Sequence, residues 1–229
     1  GAVPPEAATV IDLAGLAVAP GFIDAHTHDD RIVLDAPEMT PKVSQGVTTV
    51  VTGNCGISLA PATFTGDPPP PMNLLGGREA YGFPSFAAYA EALTRAAPAV
   101  NVAALVGHSA LRLATMPTVD RKATGAEIEA MRILADEAMA NGAAGFSTGL
   151  FYPTNAAADA EEHEQQERTT TRTLAHLLSR VRQPHHQQKR NSHEIDSSLP
   201  PTASHSLRHS RLEHGIIHLV RCEIGRAHV

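Results

Sequence analysis

Pro20–Asp30 reads PGFIDAHTHDD: an apolar run through Phe22 and Ile23, then His26 and His28 one residue apart, then Asp29 and Asp30. The run predicts a short buried strand bounded by the turn signal Pro20-Gly21. Side chains two apart on a strand project to the same side. On that geometry His26 and His28 face one way, as two imidazoles sharing a metal must. A pair of exposed histidines at a strand end is the other reading, and these residues alone leave both open.

Downstream, Val47–Thr52 reads VTTVVT, β-branched throughout, which predicts a strand. Between the two strands, TPKVSQG predicts a short helix with Thr40 as cap, Pro41 at the first position and Gly46 as the stop. A Pro/Gly-rich loop (FTGDPPPPMNLLGG) follows the second strand. Ser85 to Ala97 predicts a helix with Phe86, Tyr89, Ala90 and Leu93 on one face, ended by Pro98. Asn101–Gly107 (NVAALVG) predicts a buried strand. Thr124 with Glu127 three residues on is a capping-box signal. The helix it opens is expected to bury Ile128, Met131, Leu134, Ala135 and Ala138 before Gly142. AAGFSTGL is a fourth strand candidate. Ala8–Gly21 alternates and reads as the end of a small β unit.

Strands alternating with helices, buried on both faces, predict an α/β fold with a parallel sheet. Four such units amount to half of a (β/α)8 barrel. A doubly wound open sheet is the competing architecture, but no Gly-x-Gly-x-x-Gly follows the first strand, so a dinucleotide site is not expected. The predicted organisation is residues 1–19 as a remnant of a small β domain, 20–160 as the first half of the barrel, and 161–229 as a His-rich tail of low order.

Composition sets that last boundary. Residues 1–160 carry 16 acids, 8 bases and 3 of the 13 histidines, whereas residues 161–229 carry 8 acids, 10 bases and the other 10 histidines. The tail shows weak apolar periodicity and reads as disordered. Glu223–Val229 (EIGRAHV) resembles one frame of a sequencing-library adapter, so the natural frame is expected to end near His163. The net charge of −6 argues against a nucleic-acid partner. No apolar run approaches the length of a membrane span, and no signal peptide is visible at Gly1, where a native start would carry Met. With Cys55 and Cys222 as its two cysteines, the chain is expected in a reducing cytoplasm.

In parallel α/β folds the active site lies beyond the carboxyl ends of the strands. His26 and His28 end the first predicted strand, Cys55 follows the second, His108 the third, and Ser147 and Thr148 end the fourth. Cys55 lies in TGNCGIS, flanked by Gly53 and Gly56, where the backbone can turn tightly. It reads as a zinc ligand beside the two histidines or as a small buried thiol. His108 reads equally as a support behind the site or as a satisfied core histidine.

PGFIDAHTHDD, QGVTTVVTGNCGISLAP, GHSALR and NGAAGFSTGLFYP together resemble the N-acyl-D-amino-acid deacylases (D-aminoacylases) of the amidohydrolase superfamily, over roughly Ala8 to Ala160. The first motif marks the superfamily, and GNCGISLAP the deacylase branch. The resemblance implies a barrel with a small β domain, and zinc held by His26, His28 and Cys55. It also implies an acyl or side-chain pocket at Phe151 and Tyr152, and hydrolysis of N-acyl-D-amino acids to a carboxylate and a free D-amino acid. It further implies two later histidines, a late aspartate serving as general acid/base, and basic residues for the substrate carboxylate. None of these is matched here, so no catalytic residue is assigned and the chain itself is expected to be inactive. Two alternatives are a cyclic-amide hydrolase resembling hydantoinases or dihydroorotases, and a non-enzymatic metal binder working through the tail.

Overall fold

The β-branched run Val47–Thr52 is a strand, and the sheet is built around it. The computed structural model of the chain describes Gly15, residues 17–166, Arg168 and His218–Val220. In chain order the elements are β1 (Ala17–Ala19), β2 (Phe22–Asp24), α1 (Ile32–Asp35), α2 (Thr40–Val43), β3 (Val47–Thr52), β4 (Ala62–Thr63), β5 (Gly82–Phe83), α3 (Phe86–Ala96), β6 (Asn101–Gly107), α4 (His108–Thr115), α5 (Gly125–Ala140), β7 (Gly145–Ser147) and β8 (His218–Val220). Residues 160–166 are helical as well.

Four strands pair in the order β2-β3-β6-β7, all parallel. Each consecutive strand lies beside the one before it, as in successive units of a barrel. A doubly wound sheet reverses its order midway, and the described strands show no reversal. The fold is α/β, a parallel half-barrel sheet. A small antiparallel pair, β4 with β5, brackets the Pro/Gly-rich loop.

Local signals explain the helices. Ser85 caps α3 by accepting a hydrogen bond from the Ala88 amide, and Phe86 and Tyr89 are buried. Thr124 and Glu127 form the expected capping box of α5, which buries Met131, Ala135 and Ala138. Ile128 and Leu134 pack against the same core while half-buried. That core runs from Ile57 and Leu59 through Val106 and Leu111 to Met139. A second cluster, Val33, Met39, Val50 and Val100, seals β3 against α1 and α2.

Three expectations are corrected. Thr40 does not cap α2: the cap position is Met39, with φ 47° and no side-chain capping bond. Met39 is buried, and core packing of its side chain holds a backbone conformation that local preference would avoid. The first strand is not buried: Phe22 is 65% and Ile23 66% exposed. β2 is an edge strand among the described residues, so burial of its outer side waits on a neighbour that its own sequence does not specify. Residues 161–166 do not belong to a loose tail, because Glu162 and Gln166 are fully buried in the body. The expected change of frame near His163 concerns residues that mostly lie outside those described. So does the remnant β domain at 1–19, of which β1 pairs antiparallel with β8.

Candidate metal centre

The regular strand β2 ends at Asp24, so strand alternation does not aim His26 and His28. They lie in the irregular segment that follows. That segment is tied to β3 by a hydrogen bond from the Thr27 amide to the Val51 carbonyl, 3.3 Å. The two rings meet edge-on, centroids 5.8 Å apart and planes at 76°.

Cys55 comes from the turn after β3. Gly53 has φ 75°, Cys55 φ 58° and Gly56 φ 79°, so three of four residues are left-handed. A Cβ on Gly53 would lie 2.2 Å from the Leu105 carbonyl oxygen, so glycine is required there by both space and φ. Cys55 itself has no such freedom, and a left-handed conformation costs a side-chain-bearing residue about 1–2 kcal/mol. The turn is clamped from β7. The Gly56 amide donates to Ser147 Oγ at 2.9 Å, and the Ser147 hydroxyl donates to the Gly53 carbonyl.

The result is a group of three donors. One ligand atom each from His26, His28 and Cys55 lies within 4.8 Å of the others, and His26 Nε2 is 3.2 Å from Cys55 Sγ. Among the described residues this is the one such group of three His, Cys, Asp or Glu side chains. His28 Nδ1 is buried without a hydrogen-bond partner. Burial holds the His28 pKa below its ordinary value, with the neighbouring His26 adding to it. His28 is therefore neutral near pH 7, the form in which imidazole binds metal.

The two acids after the histidines do not join the group. Asp29 pairs with Lys42 Nζ at 3.0 Å, and the same ammonium holds Asp24 at 2.6 Å. The Lys42 hydrogen bond keeps Asp24 below the usual carboxylate range. Asp30 is buried, and burial pushes its pKa up to about 7 against the pull of the Gly53 amide. Its backbone carbonyl accepts the Tyr89 hydroxyl at 2.8 Å.

His108 begins α4 directly after β6 and is fully buried. Its Nδ1 meets Thr148 Oγ1 at 3.0 Å and its Nε2 meets Glu162 Oε1 at 2.7 Å. Arg112 Nη1 donates to both Glu162 oxygens at 2.6 Å. Its Nη2 donates to the carbonyls of Val119 and Arg121. Burial lowers the His108 pKa more than Glu162 raises it, so the ring is neutral. Burial opposes ionisation of Glu162, yet bonds from His108 and Arg112 hold its pKa below the ordinary value. Of the two readings of His108, the satisfied core histidine is the observed one. Sequence reasoning missed Glu162 and Arg112. The available signal was an arginine inside the apolar stretch His108–Thr115, since a charge on a packed helix requires a partner.

Ser147 and Thr148, expected at the end of the fourth strand, therefore serve as supports, Ser147 for the Cys55 turn and Thr148 for His108. Phe151 is 94% exposed. Tyr152 is half-buried and packs against the main core, its ring centroid 6.5 Å from that of Phe151.

No helix among the described residues is long and apolar enough to cross a membrane. The sequence profile of the Amidohydrolase family matches residues 9–183. A D-aminoacylase of Alcaligenes xylosoxydans xylosoxydans is 59% identical over 154 residues, covering 67% of this chain and 32% of the relative. A D-aminoacylase structure is 55% identical with a TM-score of 0.68, covering 71% of this chain and 34% of that one. That enzyme has a binuclear metal centre in which one metal activates and the second attenuates. An N-acyl-D-glutamate deacylase from Bordetella bronchiseptica, solved with zinc and a phosphonate mimic of the tetrahedral intermediate, is 46% identical. Its TM-score is 0.66, over 70% of this chain and 34% of that one. The chain thus spans about a third of the length of these relatives.

Proposed function

Because the chain belongs to the amidohydrolase family, we propose that it carries part of the zinc centre of an N-acyl-D-amino-acid deacylase, with His26, His28 and Cys55 as ligands. The observation that carries this reading is the gathering of three donor atoms within 4.8 Å at the carboxyl ends of β2 and β3. Two imidazoles and a thiolate are a donor set that suits zinc, and three protein ligands leave a position open for chemistry. The unpartnered buried nitrogen of His28 fits the same assignment. Zinc held there supplies Lewis acidity, which polarises a carbonyl and acidifies water.

The chain's own residues then divide the task. His26 and His28 contribute imidazole nitrogens, and Cys55 a sulfur carried on a strained turn. Phe151 and Tyr152 offer an aromatic surface for the acyl group or D-side chain of a small-molecule substrate. Amide hydrolysis also needs a group that takes a proton from water and returns it to the leaving amine. Asp29 is paired with Lys42 and Asp30 is buried beside Gly53, so neither is assigned that role. We place the protein in the cytoplasm, where Cys55 stays reduced.

Equilibrium dialysis tests the ligand assignment. The chain is expected to hold one tight zinc that Cys55→Ser loses, and equal tight binding by both proteins would overturn it. Zinc-loaded chain is expected to release no D-amino acid from N-acetyl-D-methionine, since the proton-transfer group is unassigned. Zinc-dependent release would contradict that expectation.

A further inference from the structure

The two halves of the centre come from separate segments, and something must set the gap between them. Asn54 immediately precedes Cys55 and is buried. Its Nδ2 donates to the carbonyl of Thr27 at 3.1 Å and to the carbonyl of Val51 at 2.7 Å. Thr27 is the residue between His26 and His28. One carboxamide therefore joins the backbone between the two histidines to the backbone beside the cysteine. The Val51 bond is local, of the kind a turn asparagine commonly makes. The Thr27 bond spans 27 residues and has no such local origin.

Other contacts near the turn do less, and the 3.2 Å approach of His26 Nε2 to Cys55 Sγ joins the ligand side chains themselves and not their backbones. Ser147 ties it to β7 and does not reach the histidine segment. The Gly53 amide reaches the Asp30 carboxylate, beyond His28. The Thr27 amide bond to Val51 is long, at 3.3 Å. The chemistry of Asn54 is also specific, because a carboxamide nitrogen has two hydrogens for two carbonyls. A carboxylate of the same shape would set negative oxygens against both.

We propose that Asn54 is a positioning residue for the metal centre, fixing the distance from the His26/His28 segment to Cys55. The inference rests on the ligand assignment above. Groups that hold metal ligands in place typically change metal affinity by about 10–100-fold when removed.

The test uses the whole 229-residue chain in a Cys222→Ser background, titrated with cobalt(II). Its readouts are the dissociation constant and the thiolate-to-cobalt charge-transfer absorption per bound ion. Asn54→Asp is expected to weaken binding by about 10–100-fold and to diminish the charge-transfer band even at saturation. A residue that served stability alone would leave that band at full strength in the folded protein. Asn54→Ala, which adds no charge, gives the same test if the aspartate variant does not fold. Asn101→Asp is the matched control: Asn101 Nδ2 donates to the Thr48 carbonyl between β3 and β6, away from the centre, and this variant is expected to change neither readout. Unchanged affinity and band in both Asn54 variants would overturn the proposal.

Absence of the band in the parent itself would instead defeat the ligand assignment, and a metal-free arm then decides the positioning claim. In His26→Cys with Cys222→Ser, dibromobimane joins the introduced thiol to Cys55. Slower cross-linking on adding Asn54→Ala supports the proposal, and an unchanged rate contradicts it.

Discussion

Two histidine-bearing groups stand at the carboxyl edge of the same parallel sheet, one after β2 and β3 and the other after β6 and β7, and they differ in what is left for a ligand to bond. Around His108, both ring nitrogens are engaged and Glu162 is shared between His108 and Arg112. All three side chains are buried. Around His28, a buried nitrogen has no protein partner, and the nearby thiol sits on a left-handed turn. Position at a strand end is common to both groups. Satisfaction separates them: a saturated imidazole holds the fold together, whereas an unsaturated one beside a strained thiol has capacity for a ligand.

The largest effect expected from that contrast lies in the group around His108. Glu162→Ala leaves Arg112 as an uncompensated buried charge, and breaking such a pair costs about 3–5 kcal/mol. Urea unfolding of the variant checks this. A loss below about 1 kcal/mol, the range of an exposed ion pair, would show that the group is not closed as described.

Acid should act on the same group. The folded state holds Glu162 below its ordinary pKa, so its contribution is fully present above the unfolded value. That contribution is lost as pH falls through the folded value. Stability followed from pH 6 down to pH 3 is expected to decline, less steeply in Glu162→Gln than in the parent. Parallel declines would remove Glu162 from the account.

In the unsaturated group, mutation should separate stability from metal binding. Cys55→Gly relieves a left-handed strain of about 1–2 kcal/mol, offset by about 0.4–1 kcal/mol of added backbone entropy in the unfolded chain. Metal-free protein is therefore expected to unfold at equal or slightly higher denaturant, while tight zinc is lost. Marked destabilisation would mean that packing of the thiol against the main core outweighs the strain of its turn. The smallest effect belongs to Phe151→Ala. An exposed side chain changes stability by less than about 0.5 kcal/mol, and thermal unfolding should show no shift.

Much of the framework was legible because it is local. The β-branched run of β3, the Ser85 cap, the capping box at Thr124 and Glu127, and the glycines around Cys55 each act within a few residues. The gathering of His26, His28 and Cys55 was expected too, although the reason differed: the strand ends at Asp24, and a tethered irregular segment carries the rings. What escaped reading depends on partners far apart in sequence. Lys42 lies 18 residues from Asp24, Asn54 lies 27 from Thr27, and Arg112 lies 50 from Glu162. No local pattern encodes such pairings. The exposure of β2 escaped for a related reason, since burial of an edge strand is decided by its neighbour.

The central claim is that zinc binds through the sulfur of Cys55 and the imidazoles of His26 and His28, and not through the ten histidines of residues 161–229. X-ray absorption on the chain loaded with one equivalent of zinc tests it most directly. The account predicts a sulfur shell at ~2.3 Å with nitrogen at ~2.0–2.1 Å, the sulfur vanishing in Cys55→Ser but not in Cys222→Ser. A shell of nitrogen and oxygen alone, the same in all three proteins, would contradict it.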